Sequence, residues 1–435
     1  MIKDRLNKIL GRELLANILK RLNEISDVNS SNYDELKRKL DNFANCDAYL
    51  STELLGLKKQ KNKKDVLITG YYGAQNCGDE LMLEALRKLI DRSKYNVYLL
   101  AAPNYSLDTS YYYPDHVIHY PKKVNDIAFI SDFFDTVIWG GGAVLDDIRY
   151  RYCENNDNDL TYIAMKITKS MIMDGKDALI LGVSTNGELK DTRMITDLKY
   201  IIDNSKFFSL RDTNSLKTLR KAGVPCTKIK IIDDIALSNI YDTHNNINKS
   251  KTNRMVIGFI LLMNDESKGY LTAFINKVIK AMDSVGTIRL ISFYNHDSHD
   301  VRYFDYLKNN IEFDGNIEIE DPIFKTHNIC EVLGKCDIIF SMRYHATLLS
   351  GYVLGKKVIS INYGSVHRHY LNKLKYLKQK YVKNLVSIDY QDLCDDRKIK
   401  QSIESIKKID YRPASKKDLT TIRQKTENIL RENLL

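Results

Sequence analysis

From Val66 onward the chain alternates short apolar runs with stretches whose apolar residues recur at helical spacing. VLIT (66–69), NVYLLAA (96–102), TVIWG (136–140), ALILGVS (178–184), FFSL (207–210) and IKIIDD (229–234) form a first series. Apolar residues on consecutive positions read as strands covered on both faces, so this alternation predicts a mainly parallel sheet flanked by helices. A polar gap, YDTHNNINKSKTNR (241–254), precedes a second series: MVIGFILL, TIRLISFY, IEIED, CDIIF and KKVISINY. The pattern predicts an α/β chain with two Rossmann-like lobes, 65–245 and 246–395, joined by a hinge and facing each other across a cleft. Residues 396–435 read as a helical tail.

Ahead of the first lobe, Ile9, Leu10, Leu14, Leu15, Ile18, Leu19 and Leu22 share one helical face and basic residues take the other, which predicts a helical extension over 1–64. Docking of that face on the core is the plain reading. Contact with a lipid surface is the second.

Length changes the picture only in requiring two cores, since 435 residues exceed what one hydrophobic core serves. With 43% hydrophobic and 28% charged residues, composition argues against disorder. No apolar run approaches the roughly 20 residues of a membrane span, and charges interrupt the N-terminus too often for a secretory signal. The seven cysteines are scattered without a CxxC pair, which fits a reducing, cytoplasmic compartment. The formal charge of +10 is dispersed along the sequence, a distribution that suits small anionic substrates better than nucleic acid.

In open parallel sheets ligands bind beyond the carboxyl ends of the strands, so the residues that follow each predicted strand are the candidates for chemistry. GYYGAQNCGDELMLEAL follows the first strand, with Gly70, Gly73 and Gly78 for tight turns and Asp79 as the expected helix cap. It is neither a GxGxxG fingerprint nor a P-loop. TVIWG is followed by Gly141, Gly142, Asp146 and Asp147. Glycines in a row can present amides to an anion or relieve crowding against a helix. After FFSL, Arg211 stands at a strand end before a helix that Asp212 or Thr213 would cap and Gly223 would end. In SMRYHATLLSGYVLG, Arg343 and His345 occupy the turn between a strand and a helix that stops at Gly355.

Each feature has a plainer reading: a capped turn, glycine packing, a salt bridge at Arg211, a core histidine at 345. Their common position after strands favours one shared site. NHDSHD (295–300) has no second ligand cluster and reads as a loop before an Asp300-capped helix, so no metal is expected. HRH (367–369) and the tyrosines of SYYYPDH stay open, and Cys77 has no histidine arrangement that would make it a nucleophile.

Taken in order, GYYGAQNCGDELML, GGGAVLDD, SLRD leading to AGV, DDIAL and SMRYHATLLSGYVLGKKVISINY resemble the polysaccharide pyruvyl transferase family over about residues 66–363. The resemblance implies a two-lobed GT-B-like architecture and transfer of the enolpyruvyl unit of phosphoenolpyruvate to a sugar as a cyclic ketal. By motif, Arg211 and Arg343 would hold the donor with help from the backbone at Tyr344, and His345 would be the general acid. Arginines suit this, being permanently charged and bidentate toward carboxylate and phosphate, and a histidine suits protonation of the methylene carbon.

Asp79, Glu80 and Asp146 are the candidates for orienting or deprotonating acceptor hydroxyls, and Gly73, Asn76, Gly141 and Gly142 are grouped with substrate binding. The implied partners are phosphoenolpyruvate and a saccharide or lipid-linked saccharide acceptor, with no cofactor and no nucleic acid. Peripheral contact at the inner membrane face and self-association stay open. The chain departs from the family pattern in having Tyr344 where leucine is commoner, Ile235 in DDIAL where proline is usual, Leu145 before Asp146, and GSVHRHYL after INY. Two other readings are a nucleotide-sugar glycosyltransferase that uses Arg343 for a diphosphate, and a noncatalytic saccharide-binding protein.

Overall fold

β1 (Lys64–Thr69) is exposed only at its first residue and buried along the rest, as expected for a strand covered on both faces. The computed structural model describes residues 62–101, 115–119, 124–152, 160–240, 254–294, 299–320, 326–363 and 368–434. The expected extension before residue 62, the polar gap at 241–253, the tyrosines at 111–113, residues 295–298 of NHDSHD and residue 367 of HRH lie outside the described residues.

The first lobe adds β2 (Tyr95–Ala101), β3 (His116–His119), β4 (Thr136–Gly140), β5 (Asp177–Val183), β6 (Phe207–Leu210) and β7 (Lys230–Ile231). They form a parallel sheet in the order β3-β2-β1-β4-β5-β6-β7, with Leu67 of β1 opposite Tyr98 on one side and Val137 on the other. The second lobe contains β8 (Met255–Ile260), β9 (Val285–Ile291), β10 (Asn316–Glu320), β11 (Ile338–Ser341), β12 (Lys357–Asn362) and β13 (Val386–Asp389), also parallel and ordered β10-β9-β8-β11-β12-β13. In both sheets strand order reverses beside the first strand, between β1 and β4 and between β8 and β11. That reversal opens a crevice at the carboxyl ends.

Three strands differ from the sequence reading. β3 and β13 are four-residue edge strands, and β13 alternates exposed and buried positions, so neither presents a continuous apolar run. IKIIDD pairs only at Lys230 and Ile231. The chain then leaves the sheet, and Asp234 caps a short 3-10 turn, Ile235–Asn239.

A single apolar cluster joins the lobes. It contains Leu81 and Leu86 of the helix Cys77–Leu89, Ile235 and Leu237 of the 3-10 turn, Leu348 and Leu377 of the second lobe, and Leu419, Ile422 and Leu430 of the last helix, Lys416–Asn433. The tail is thus two helices: Asp396–Lys407 packs on the second lobe through Ile399, Ile403 and Ile406, and Lys416–Asn433 returns to the first, where Thr426 and Ser238 share a 2.9 Å hydroxyl contact. A backbone bond from Cys77 N to Phe293 O (2.9 Å) stitches the lobes beside the cleft.

Candidate active site

The loop from Gly70 to Asn76 delivers the start of the helix Cys77–Leu89 into the cleft. Asn76, not Asp79, is its cap: its backbone is extended and its side-chain oxygen accepts the Gly78 amide at 3.2 Å. Asp79 falls three residues past the cap, which leaves its carboxyl facing a cavity. Glu80 turns the other way, is 1% exposed, and accepts the Gly73 amide at 2.8 Å, so it holds the loop together.

Across the cleft, β11 ends at Ser341 and Arg343 has the extended conformation of a helix cap. The helix Tyr344–Leu348 runs into a wider turn, Leu349–Val353, and Gly355 has φ +62° where the chain reverses toward β12. His345 thereby projects from the second lobe onto the first. Its ring lies directly over Gly78, where an added Cβ would stand 1.9 Å from Nδ1.

Nε2 of His345 lies 3.3 Å from Asp234 Oδ2, a close contact whose geometry falls short of a hydrogen bond. The same carboxylate oxygen accepts from Arg211 Nη1 at 3.1 Å, and Arg211 Nε donates to Ser184 Oγ at 3.2 Å. The Arg211 guanidinium also stacks on the Tyr344 ring, 4.7 Å from its centroid. Burial pushes the Asp234 carboxyl up, but His345, Arg211 and the Ala236 amide together hold it well below the usual carboxylate range. Asp234 is itself fixed by the second lobe: its amide donates to the Tyr381 hydroxyl (3.2 Å), which donates to Asp233 (3.1 Å).

Arg343 is held more loosely. Its Nη2 is 3.5 Å from Asp300 Oδ1, its guanidinium lies over Tyr294 at 5.4 Å, and its buried Nε and Nη2 make no hydrogen bond among the described residues. Asp300 is not the expected cap. It sits inside the first turn of the helix His299–Asn310, and its Oδ2 accepts the amides of Phe293 and Tyr294, both at 2.9 Å.

These groups enclose a cavity of about 210 Å³, lined from the first lobe by Asn76, Gly78, Asp79 and Arg211 and from the second by Arg343, Tyr344, His345 and Lys373. Burial pushes the Asp79 carboxyl up to about 6, against the pull of His345, Arg211 and Lys373. Burial, then Arg211, pushes the Lys373 ammonium down to about 8, opposed by Asp79, Asp212 and Asp146. A carboxyl and an amine poised on either side of neutrality in a cationic pocket are equipped to move protons near an anion.

The other sequence candidates lie elsewhere. Gly141 gives its amide to Leu181 O of β5 (2.7 Å) and Gly142 accepts from Ser184 N just after it (2.8 Å), so these glycines are tied to the end of β5. Both have positive φ, and an added Cβ would meet Met82 Sδ at 2.4 Å at 141 and Asp79 Oδ1 at 3.0 Å at 142. They let the helix Cys77–Leu89 approach the sheet. Asp146 caps the helix Asp147–Tyr152 through the amides of Ile148 and Arg149, and its second oxygen accepts from Asn186 at 2.8 Å. Cys77 is buried, and burial raises its thiol far above the ordinary value, which disfavours the thiolate.

Lys373 and Asn186 went unmarked in the sequence, and Asp234 was visible only as part of DDIAL. Asn186 and Asp234 both follow strands and were open to the strand-end rule. Lys373 sits in the lysine-rich helix Arg368–Lys380, where nothing distinguishes it.

The model of the family described as polysaccharide pyruvyl transferase matches residues 76–365, more than half of the chain. A search of the curated proteins found no match. Among solved structures, UDP-GlcNAc 2-epimerase from Neisseria meningitidis bound to UDP-GlcNAc is similar with a TM-score of 0.52 at 12% identity, covering 85% of this chain and 100% of that one. HepE from Anabaena in complex with UDP and glucose has a TM-score of 0.51 at 11% identity, covering 85% and 99%. UDP-GlcNAc 2-epimerase from Methanocaldococcus jannaschii has a TM-score of 0.51 at 10% identity, covering 84% and 99%. At such identities the likeness is one of fold, and the fold is the two-lobed GT-B type. Among the described residues no helix is long and apolar enough to cross a membrane.

Proposed function

The chain belongs to the polysaccharide pyruvyl transferase family, and from that premise we propose that it transfers the enolpyruvyl unit of phosphoenolpyruvate to a saccharide of a surface polysaccharide or cell-wall precursor, forming a cyclic ketal. The observation that carries this reading is the convergence of Arg211, Arg343, Lys373 and His345, from both lobes, on one cavity of about 210 Å³. A volume below the ~300–1,000 Å³ of most drug-sized ligand pockets suits a three-carbon phosphate ester better than a nucleotide sugar. Arg343, with unpaired N–H groups, matches a carboxylate or phosphate, and Arg211 adds a second fixed cation.

His345 protonates the methylene carbon, and positive charge develops at the carbon that bears phosphate. The ionised Asp234, 3.3 Å from Nε2, supplies the counter-charge for an imidazole that must carry a proton. An acceptor hydroxyl attacks the phosphate-bearing carbon and loses its proton to Asp79. Phosphate then departs with its bonding pair, and a second hydroxyl closes the ketal. Over the cycle the two hydroxyls release two protons: one replaces the proton His345 gave to carbon, and the other leaves on phosphate.

Phosphate release that requires both phosphoenolpyruvate and a saccharide tests the reading. His345→Asn should slow it by roughly 100-fold or more while donor binding persists. Consumption of a nucleotide sugar with release of its nucleoside diphosphate would replace the reading with a glycosyltransferase, and function retained in His345→Asn would replace it with a noncatalytic binder.

A further inference from the structure

A second cavity, of about 670 Å³, opens at the carboxyl ends of β5 and β6 and shares Asn186 and Lys373 with the first. Its walls carry amide, hydroxyl and charged groups, among them Asn186, Glu188, Asn214, Thr218 and Lys221, and Ile148, 53% exposed, adds an apolar surface. Dispersed hydrogen-bonding groups with an aliphatic patch match a molecule that bears a hydroxyl on nearly every carbon and C–H faces between them. The volume falls in the range of sites that enclose whole small ligands.

A chain of side chains runs through the two residues that line both cavities. Asp146 holds the Asn186 amide at 2.8 Å, and Asn186 Oδ1 accepts from Lys373 Nζ at 3.3 Å. Among the described residues that long bond is the one hydrogen bond Lys373 makes, although it feels the charges of Asp79, Asp212 and Asp146. A largely enclosed ammonium with its donors so little used, standing between two cavities, is built to give hydrogen bonds to a ligand.

Resting on the pyruvyl-transfer reading, we propose that the second cavity holds the acceptor saccharide and that Lys373, with Asn186, grips the hydroxyl pair that receives the enolpyruvyl unit. The first cavity is too small for donor and acceptor sugar together, and reacting atoms must come within about 3–3.5 Å. A sugar in the second cavity meets the donor at the wall both cavities share. Asp79, on the donor side of that wall, takes the proton of the attacking hydroxyl as its oxygen bonds to the phosphate-bearing carbon. Lys373 orients the oxygen and takes no proton in the balance.

Two binding measurements separate this proposal from the reading beneath it. Calorimetry with phosphoenolpyruvate reports the donor site. Saturation-transfer NMR with a panel of methyl hexopyranosides and methyl N-acetylhexosaminides reports the acceptor site. At least one panel member should bind the wild type. Thr218→Trp, which fills the second cavity, should weaken that saccharide at least tenfold and leave the donor affinity within twofold, with Asn214→Trp replacing it should Thr218→Trp fail to fold. Lys373→Met should weaken the same saccharide, and Lys373→Arg should recover part of the loss. Saccharide binding unchanged in the tryptophan variant, or absent from the wild type, overturns the proposal and leaves donor binding intact. Loss of donor binding from the wild type sinks the reading beneath it instead.

Discussion

Asp234 Oδ2 lies 3.3 Å from His345 Nε2 and 3.1 Å from Arg211 Nη1, so one carboxylate of the first lobe contacts both an imidazole of the second lobe and a guanidinium of its own. In the proposed mechanism Asp234 would therefore couple donor binding to proton delivery. Removing its charge leaves Arg211, 4% exposed, without its ion-pair partner, and breaking such pairs costs roughly 3–5 kcal/mol. Asp234→Asn keeps the shape, so its cost should fall at or below that range. Thermal melts should show a lowered midpoint, and steady-state kinetics should show both a raised KM for phosphoenolpyruvate and a lowered kcat.

Gly78 sets the other side of His345. With an added Cβ 1.9 Å from Nδ1, Gly78→Ala must displace the imidazole or part the lobes. The expected loss is comparable to that of His345→Asn, about 100-fold in turnover. Gly269 has open space around its Cβ position, and Gly269→Ala should leave activity unchanged and add up to ~1 kcal/mol of stability. Equal effects of the two substitutions would contradict the packing described.

In the proposed mechanism Asp79 acts in its ionised form, so with the carboxyl raised to about 6, kcat/KM should fall about tenfold per pH unit below that value. Stability moves oppositely. The folded-state value exceeds the ordinary 3.8, so the contribution of Asp79 is fully present below about 3.8 and is lost as pH rises through 6. Asp79→Asn should remove the acidic limb of the rate profile and flatten the decline of the melting temperature across that window. An unchanged acidic limb would remove Asp79 from the base role.

Lys373 carries the complementary sign. Its value is depressed from 10.5 to about 8, so its stabilising contribution is present above 10.5 and is lost as pH falls through 8. Lys373→Met should therefore raise the melting temperature at pH 7 relative to wild type, while activity falls. A lowered midpoint at pH 7 would show that the ammonium is structurally compensated.

The sheets were legible wherever strands are central: TVIWG and FFSL coincide with β4 and β6 residue for residue. β3 and β13 were not, because HVIH and VSID are four-residue edge strands too short to carry a pattern, whereas the edge strand β10 keeps the alternation IEIE. For the site, the strand-end rule located Arg211, Arg343 and His345, all of which line or adjoin the interlobe cavity. It could not say which way Glu80 or Asp146 would turn, since capping and substrate binding draw on the same residue types. Lys373 comes from the middle of a helix, and only the closure of one lobe on the other brings it to the cavity. That packing is long-range, and no local pattern encodes it.

The central claim is that two arginines from facing lobes, Arg211 and Arg343, form a site for phosphoenolpyruvate. Calorimetric titration of the wild type and Arg343→Ala with phosphoenolpyruvate and, in parallel, with UDP-N-acetylglucosamine tests it most directly. The account predicts saturable binding of phosphoenolpyruvate, weakened at least tenfold by Arg343→Ala, and no comparable binding of the nucleotide sugar. Tight binding of the nucleotide sugar with none of phosphoenolpyruvate would contradict it.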